Sequence, residues 1–421
     1  MKKISMLTLA LALSSKAVMA GGFALSEYST VSFGRGFAGM GVVGDDYSAI
    51  ISNPAGMTLS RDGLQLGASF IDIYANITDN NDLTKKDKIN IFSPVPSFFA
   101  QASVSDKMKI GAAFYTPYGI GTDYNSKWWG SDEALLSEIV VYDFTLSGAY
   151  ELTSKWSLGA SVSTQFATAH LTNDKTLSPL LPHTLYSDIE GDNGDDLTFA
   201  YTLGAMYKVN ENNRYGISYH SKSTYDLEGT HKLTANTNIP AGVLAATIIP
   251  QGYTMNGKAH AKVTLPENLM ISSYHKVDDR LAFSATAKWT RWSRFKELNI
   301  YSDVRGVDAL VSSTQENWRD TWAFSVGADY DFTKDWVFRA GIEVEKTPIP
   351  NDYHRTARIP DDNRLITALG ASYKFNGGKL DVGYAHIFID GGNAKYSENG
   401  LFDVNYDLHI NMVSASVQYY F

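Results

Sequence analysis

From about residue 64 to its end, this chain repeats its hydrophobicity with a period of two, and few folds accommodate that. Trp322, Phe324, Val326, Ala328, Tyr330 and Phe332 alternate with Ala323, Ser325, Gly327, Asp329 and Asp331. Successive side chains of a strand point to opposite faces, so one face here is large and apolar and the other small or polar. The same form recurs at Val140, Tyr142, Phe144 and Leu146 over Asp143, Thr145 and Ser147. It recurs again at Leu197, Phe199, Tyr201 and Leu203, and at Trp336, Phe338, Ala340 and Ile342 over Arg339 and Glu343. The small face lacks the bulk to pack a second sheet, as a soluble all-β sandwich requires. A transmembrane barrel needs this arrangement, apolar toward lipid and polar toward the lumen.

The connections alternate in length. Short ones fall at Ser105-Asp106-Lys107, Thr153-Ser154-Lys155, Asn210-Glu211-Asn212, Val277-Asp278-Asp279, Thr333-Lys334-Asp335 and Asn376-Gly377-Gly378, and long polar stretches lie near 78–96, 119–137, 176–195, 228–257, 302–318, 346–362 and 391–406. Short periplasmic turns and long outer loops are the asymmetry of an outer-membrane barrel. Aromatics beside the turns, such as Tyr150 and Trp156 or Tyr330 and Trp336, suit its interfacial girdles. The pattern predicts an all-β, antiparallel transmembrane β-barrel of fourteen strands: 64–77, 97–105, 108–118, 138–152, 156–175, 196–209, 213–227, 258–276, 280–301, 319–332, 336–346, 363–375, 379–390 and 407–421. The last would close on the first and leave no edge.

Composition narrows the function. The chain has no cysteine, which excludes disulfides, thiolate catalysis and Cys-ligated metals. Its net charge of −9 is unlike that of a nucleic-acid binder. Lys2 and Lys3, the apolar run 4–13 and Val18-Met19-Ala20 read as a secretory leader cut before Gly21. Its removal takes three lysines and leaves 33 cations against 45 anions. The nine histidines offer no H-E-x-x-H, and the acidic pairs Asp45-Asp46, Asp195-Asp196, Asp278-Asp279 and Asp361-Asp362 fall in the segment before the barrel, in loops or in turns. The expectation is no enzyme, no metal and no cofactor.

Residues 21–62 do not alternate. They are rich in Gly, Ala and Ser, yet carry Phe23, Leu25, Phe33, Phe37 and Met40. Fourteen strands enclose more space than wall side chains fill, since about eight suffice for that. A small plug inside the lumen fits both facts, with the barrel proper at 63–421. Gly34-Arg35-Gly36-Phe37-Ala38-Gly39 matches G-x-G-x-x-G, but that motif needs a βαβ setting which this segment lacks.

Phe23-Ala24-Leu25-Ser26-Glu27-Tyr28, then Gly34-Arg35-Gly36, Gly39, Gly41, Asp45-Asp46 and Asn53-Pro54-Ala55, resembles the hatch of FadL-type outer-membrane transporters. Asn212-Asn213-Arg214-Tyr215, Leu265-Pro266-Glu267, Trp292-Ser293 with Phe295, Pro348-Ile349-Pro350 and Ile359-Pro360-Asp361 with Arg364 continue the resemblance in order. The family carries long-chain fatty acids, and relatives carry aromatic hydrocarbons. The resemblance implies passive transport: capture by outer loops three and four, passage to a pocket against the hatch N-terminus, hatch rearrangement, and sideways exit at a kinked third strand. Implied substrate contacts are Phe23, Leu25, Phe114, Tyr118, Val243, Leu244, Ile248, His170 and Lys175, with Asn53, Pro54 and Ala55 as the hatch motif. The partners implied are a hydrophobic small molecule and outer-membrane lipid with lipopolysaccharide, and the barrel would act as a monomer.

The residues support a wall gap independently. Pro117 cannot donate to a strand ladder, and Gly119 and Gly121 allow a bend; the alternative is that Pro117 merely ends its strand. Pro117, Tyr118 and Gly119 would form the lateral opening. The stretch 241–250 is apolar for an outer loop, which marks a binding surface or a loop closing the barrel mouth. At the two positions where the family's fatty-acid carrier meets its ligand carboxylate, this chain has Asn173 and Thr314. His170, Lys175, Lys288 or Arg339 could supply the missing charge; otherwise the substrate is a neutral hydrocarbon. A general diffusion porin is the remaining alternative.

Overall fold

The computed structural model describes residues 22–177, 181–194, 196–245, 247–395 and 402–421. The leader at 1–20, Asp195, Ala246 and part of the last outer loop lie outside these residues.

Fourteen antiparallel strands form a closed wall. They are β1 (Gly63–Asp79), β2 (Lys86–Ser105), β3 (Met108–Asp123), β4 (Leu136–Glu151) and β5 (Trp156–Lys175). Next come β6 (Leu185–Asp192, continued by Thr198–Asn210), β7 (Asn213–His220 and Ser223–Ala235), β8 (Thr254–Leu265 and Asn268–Lys276), β9 (Leu281–Thr290 and Glu297–Ser302) and β10 (Ala309–Gln315 and Thr321–Asp331). The last are β11 (Trp336–Glu345), β12 (Arg364–Phe375), β13 (Gly378–Ile389) and β14 (Val404–Tyr420). β14 pairs with β1 from Gly63↔Tyr420 to Asp79↔Val404, which closes the barrel.

Alternation sorts the faces as expected. Val326, Phe324 and Leu369 are exposed on the outside, whereas Ser325, Asp329, Thr286 and Ser414 are buried inside. The strands run further outward than hydropathy alone indicates. The stretch 78–96, expected as a loop, is mostly β2, and only 80–85 joins it to β1.

Residues 22–62 sit in the lumen. They form α1 (Thr30–Gly34), α2 (Ala49–Ser52) and a 3-10 turn (Pro54–Leu59), linked by a chain whose glycines Gly36, Gly39, Gly41 and Gly44 take positive φ. Side-chain caps stand in for length: Ser29 accepts from Ser32 N, and Asn53 accepts from Ala55 N.

Two irregularities of the wall matter most. First, the β2–β3 ladder stops at Phe98↔Phe114, while β2 continues along β1 and β3 continues along β4. Above that point no ladder pair joins β2 to β3 among the described residues. Pro94 and Pro96 lie on the unpaired stretch of β2, where a missing N–H is tolerated. Second, a row of breaks runs around the wall at one height. β3 slips register between Tyr115 and Tyr118, and β6 to β10 are interrupted at 193–194 with 196–197, 221–222, 266–267, 291–296 and 316–320. Pairs such as Gln165↔Thr198, Thr202↔His220, Asn268↔His220, Asn268↔Thr290 and Thr290↔Thr321 place these breaks side by side.

Side chains patch the lost ladder bonds. Asn193 accepts from Ala167 N at 2.8 Å and donates to Gln165 O at 3.2 Å. Glu267 is clamped by Arg291 at 3.1 Å and by Arg294. Burial strengthens the need for such partners, since an unmet backbone group there costs about 1–3 kcal/mol.

Candidate functional site

The site is built where the hatch N-terminus meets the row of breaks. Leu25 N donates to Pro117 O at 2.8 Å, and Gly119 N donates to Phe23 O at 2.9 Å. Ala24 and Tyr118 thereby form an antiparallel bridge. The hatch arm supplies β3 with the edge partner that β2 withholds. The slip at Thr116 and Pro117 also inverts the facing: Phe114 points outward and stacks on Tyr142 at 6.2 Å, whereas Tyr118 is buried inside.

Phe23 is fully buried in a cage of rings. Trp292 lies 5.1 Å away, Phe295 5.5 Å, Trp318 5.7 Å and Tyr118 6.1 Å, centroid to centroid. These rings come from the breaks in β9 and β10 and from β3, so the cage spans the lumen. Tyr118 reaches the opposite wall through its hydroxyl, which donates to Pro266 O at 3.2 Å, and Trp318 Nε1 donates to Glu316 at 2.8 Å. Gly22 N donates to the buried Asp361 at 3.1 Å, which also pairs with Arg364.

Cavities lie to either side of the cage. The outer one is apolar, about 40 Å³, and lined by Ile139, Leu171, Ile189, Leu227, Val263 and Leu298. A polar cavity of about 110 Å³ is contiguous in register: Asn173, Lys175, Ser312 and Thr314 line it with Asp132, Asp174 and Arg358. Beside the arm is a third, about 90 Å³, bounded by Leu25, Met40, Tyr115, Tyr118, Asp143 and Lys288. Lys288 Nζ donates to Ser26 Oγ at 3.1 Å and makes no ion pair among the described residues. An apolar cavity that takes a benzene ring measures about 150 Å³. None of the three admits an acyl chain or an aromatic ring without movement.

The rest of the hatch is bolted down. Arg35 meets Asp45 at 2.7 Å and Asp329 at 3.0 Å, and Arg339 meets Asp45 at 3.1 Å and Asp329 at 2.7 Å. Burial disfavours the charge on Asp45, but Arg35 and Arg339 outweigh it and hold its carboxyl well below the usual range. Removing one member of such a buried set costs about 3–5 kcal/mol. Beneath Asn53-Pro54-Ala55 the wall presents Gly159, Gly204 and Gly216. A Cβ at Gly159 would come within 2.3 Å of Ala55 N, and one at Gly204 within 2.1 Å of Asn53 Oδ1. Asn53 Nδ2 donates to Ala205 O at 3.2 Å.

Residues 11–421 match the family model described as Outer membrane protein transport protein (OMPP1/FadL/TodX). The chain belongs to this family. Its FadL/TodX relatives include a long-chain fatty acid transport protein of Escherichia coli O6:H1, 30% identical over 419 residues, covering 94% of this chain and 92% of that protein. A 47 kDa outer membrane protein of Pasteurella multocida is 30% identical over 415 residues, covering 92% and 93%. Among solved structures, a Pseudomonas aeruginosa FadL homologue aligns with a TM-score of 0.83 at 23% identity, over 94% of this chain and 99% of that one. The Pseudomonas putida toluene transporter TodX aligns with 0.73 at 17%, over 96% and 100%. The FadL/TodX chain described here is an outer-membrane β-barrel of a transport family.

Of the residues expected to contact substrate, the structure brings together Phe23, Leu25 and Tyr118. Phe114 and His170 stand on the outer face, away from the internal cavities. Lys175 lines the polar outer cavity, together with both family carboxylate positions, Asn173 and Thr314. Leu244 packs near Leu185, Ile239 and Ile249 at the barrel mouth, while Val243 and Ile248 are exposed at 43% and 65%. Arg339, weighed as a carboxylate partner, is engaged in the ion quartet. Trp318 was not foreseen, because no spacing marks a ring contributed by a break in a strand. Trp292 and Phe295 carried a family signal but no role.

Proposed function

We propose that this protein moves hydrophobic molecules, long-chain fatty acids first among them, passively across the outer membrane as a monomer, releasing them sideways into the membrane between β2 and β3. The observation that carries this reading is the hatch arm zipped onto β3 by Leu25 N–Pro117 O and Gly119 N–Phe23 O, in the stretch where β2 leaves β3 unpaired. The arm closes the wall gap and holds Phe23 in its cage at the same time. One displacement of residues 22–28 therefore opens the passage between the outer and inner cavities and uncovers the gap. The closed cavities support a gated route over steady diffusion through a water-filled porin. The exposed apolar loop residues Val243 and Ile248 support capture at the mouth. Lys288 beside the arm supports an anionic head group on the substrate.

A neutral hydrocarbon is the second reading. Asn173 and Thr314 favour it, because the cavity they line carries Asp132, Glu133 and Asp174 against Lys175 and Arg358 and offers an anion no net positive charge. Uptake of labelled oleate and of labelled toluene by cells that lack their own transporter of this family, with and without this chain, separates the readings. Oleate uptake that depends on the chain supports the first. Dependence of toluene alone supports the second, and a large steady conductance in planar bilayers supports a porin instead.

A further inference from the structure

We propose that His170, Asp188 and Glu190 form a binding site for a divalent transition cation of the zinc type on the outer wall of the barrel. His170 lies on β5, and Asp188 and Glu190 lie on the outer segment of β6, with His170↔Glu190 and Thr172↔Asp188 in register. His170 Nε2 is 3.0 Å from Asp188 Oδ1 and 3.6 Å from Glu190 Oε1, and the three donor atoms all lie within 4.8 Å of one another. Both carboxylates converge on one ring nitrogen. That nitrogen carries at most one proton, so a hydrogen bond satisfies one oxygen well and leaves the other with little. A metal ion bound to all three satisfies every donor and removes the repulsion between the two acids. Lys232 stands opposite Asp188 in register, yet no ion pair joins them among the described residues.

The donor set selects the ion. Imidazole with two carboxylates suits zinc and its neighbours, with His nitrogen and carboxylate oxygen ligands at about 2.0–2.2 Å and a fourth position open. Calcium and magnesium prefer all-oxygen sets. The position is at the rim: below it on the outer face lie Phe166, Val162 and Leu158, and above Phe166 the face turns polar with Thr168, His170 and Thr172. A bound ion would fasten β5 to the outer segment of β6 just before that segment ends at Asp192. Its open position would face the head-group layer.

The test is calorimetric titration of untagged, chelator-treated full-length protein in detergent with zinc chloride, with cobalt(II) absorbance as a second readout. The expected result is one equivalent bound by the wild type, weakened by more than about tenfold in His170→Ala and in Asp188→Asn. His409→Ala, which removes the imidazole beside Asp407 elsewhere on the outer wall, should leave it intact. Zinc should also slow proteolysis of the segment 185–192 in the wild type and not in His170→Ala. Circular dichroism verifies that each variant keeps its barrel. The proposal is overturned if the wild type takes up no zinc at micromolar concentration, if His170→Ala and Asp188→Asn bind as the wild type does, or if only His409→Ala loses the ion.

Discussion

Leu25 donates its amide hydrogen to Pro117 O at 2.8 Å, a bond between the hatch and a residue that itself has no amide hydrogen to give. The proline interrupts the wall, and the arm occupies the edge this leaves. Wall gap and hatch arm thus meet in a single set of backbone bonds.

That sharing predicts the behaviour of a tether. Ala24 and Tyr118 are antiparallel bridge partners, a pairing whose Cα separation of about 4.5–5.5 Å suits a disulfide. The chain has no cysteine to compete. Ala24→Cys with Tyr118→Cys should abolish substrate uptake when oxidised and recover the level of the reduced double variant on adding dithiothreitol. Equal uptake in both states would show that the arm need not leave β3.

Phe23→Ala empties the cage. A buried Phe→Ala change costs about 3–5 kcal/mol, here levied on the seating of the arm rather than on the barrel. Single-channel recording should show openings absent from the wild type, and fatty-acid uptake should fall because the internal pocket loses its floor. Unchanged conductance and uptake together would remove Phe23 from the path.

Gly159→Ala and Gly204→Ala test the seat beneath Asn53-Pro54-Ala55. Each added methyl meets the hatch closer than van der Waals contact allows. The barrel should still form, because both sites lie on continuous ladders, but the hatch should become cleavable by protease in the folded protein. Protection equal to the wild type would mean that the hatch rides higher than described.

Lys288→Met should separate substrates. Methionine keeps most of the volume and drops the charge, so oleate uptake should decline by about ten- to a hundredfold, as loss of a charge-assisted contact of about 1.5–3 kcal/mol implies. Toluene uptake should hold, and Lys288→Arg should restore oleate. Equal losses for both substrates would assign Lys288 to structure alone.

Glu27 predicts a pH effect. Burial raises its pKa, against the lowering influence of the Ser26 amide, Arg364 and Lys288. A raised folded value means that the seated hatch binds a proton more tightly than the released one, whose carboxyl titrates in the ordinary glutamate range. Seating is therefore strongest in acid and weakens as pH rises through the raised value. Protection from hydrogen exchange at residues 22–29, taken relative to the intrinsic rate at each pH, should fall over that range in the wild type, whereas in Glu27→Gln it should hold. Protection in the wild type that does not vary with pH, or that falls equally in Glu27→Gln, would refute this.

The barrel was legible because lipid imposes alternation wherever it touches the wall. Val326 and Ser325 could not exchange faces without cost, and the fourteen strands followed. Beyond the lipid both faces meet water, so the constraint lapses; that is why Lys86, Asp87 and Lys88, which belong to β2, read as loop. Facing was lost at the slip after Tyr115, which sends Phe114 outward and Tyr118 inward although both belong to one aromatic run. His170 follows even parity along an unbroken β5, and its outward direction could have been counted from Trp156 and Leu158. The cage could not be counted, since Trp292 and Trp318 arrive through gaps in the ladder, where period two has no meaning.

The row of breaks at the waist has a mechanical corollary. Above it, the outer collar is joined to the lipid-embedded cylinder across β6 to β10 largely by side-chain clasps such as Asn193 and Glu267 rather than by an unbroken mesh of main-chain bonds. Force on the surface loops of β6 to β10 therefore reaches the cylinder, and the bolted half of the stopper inside it, through those clasps and the covalent chain alone at the breaks.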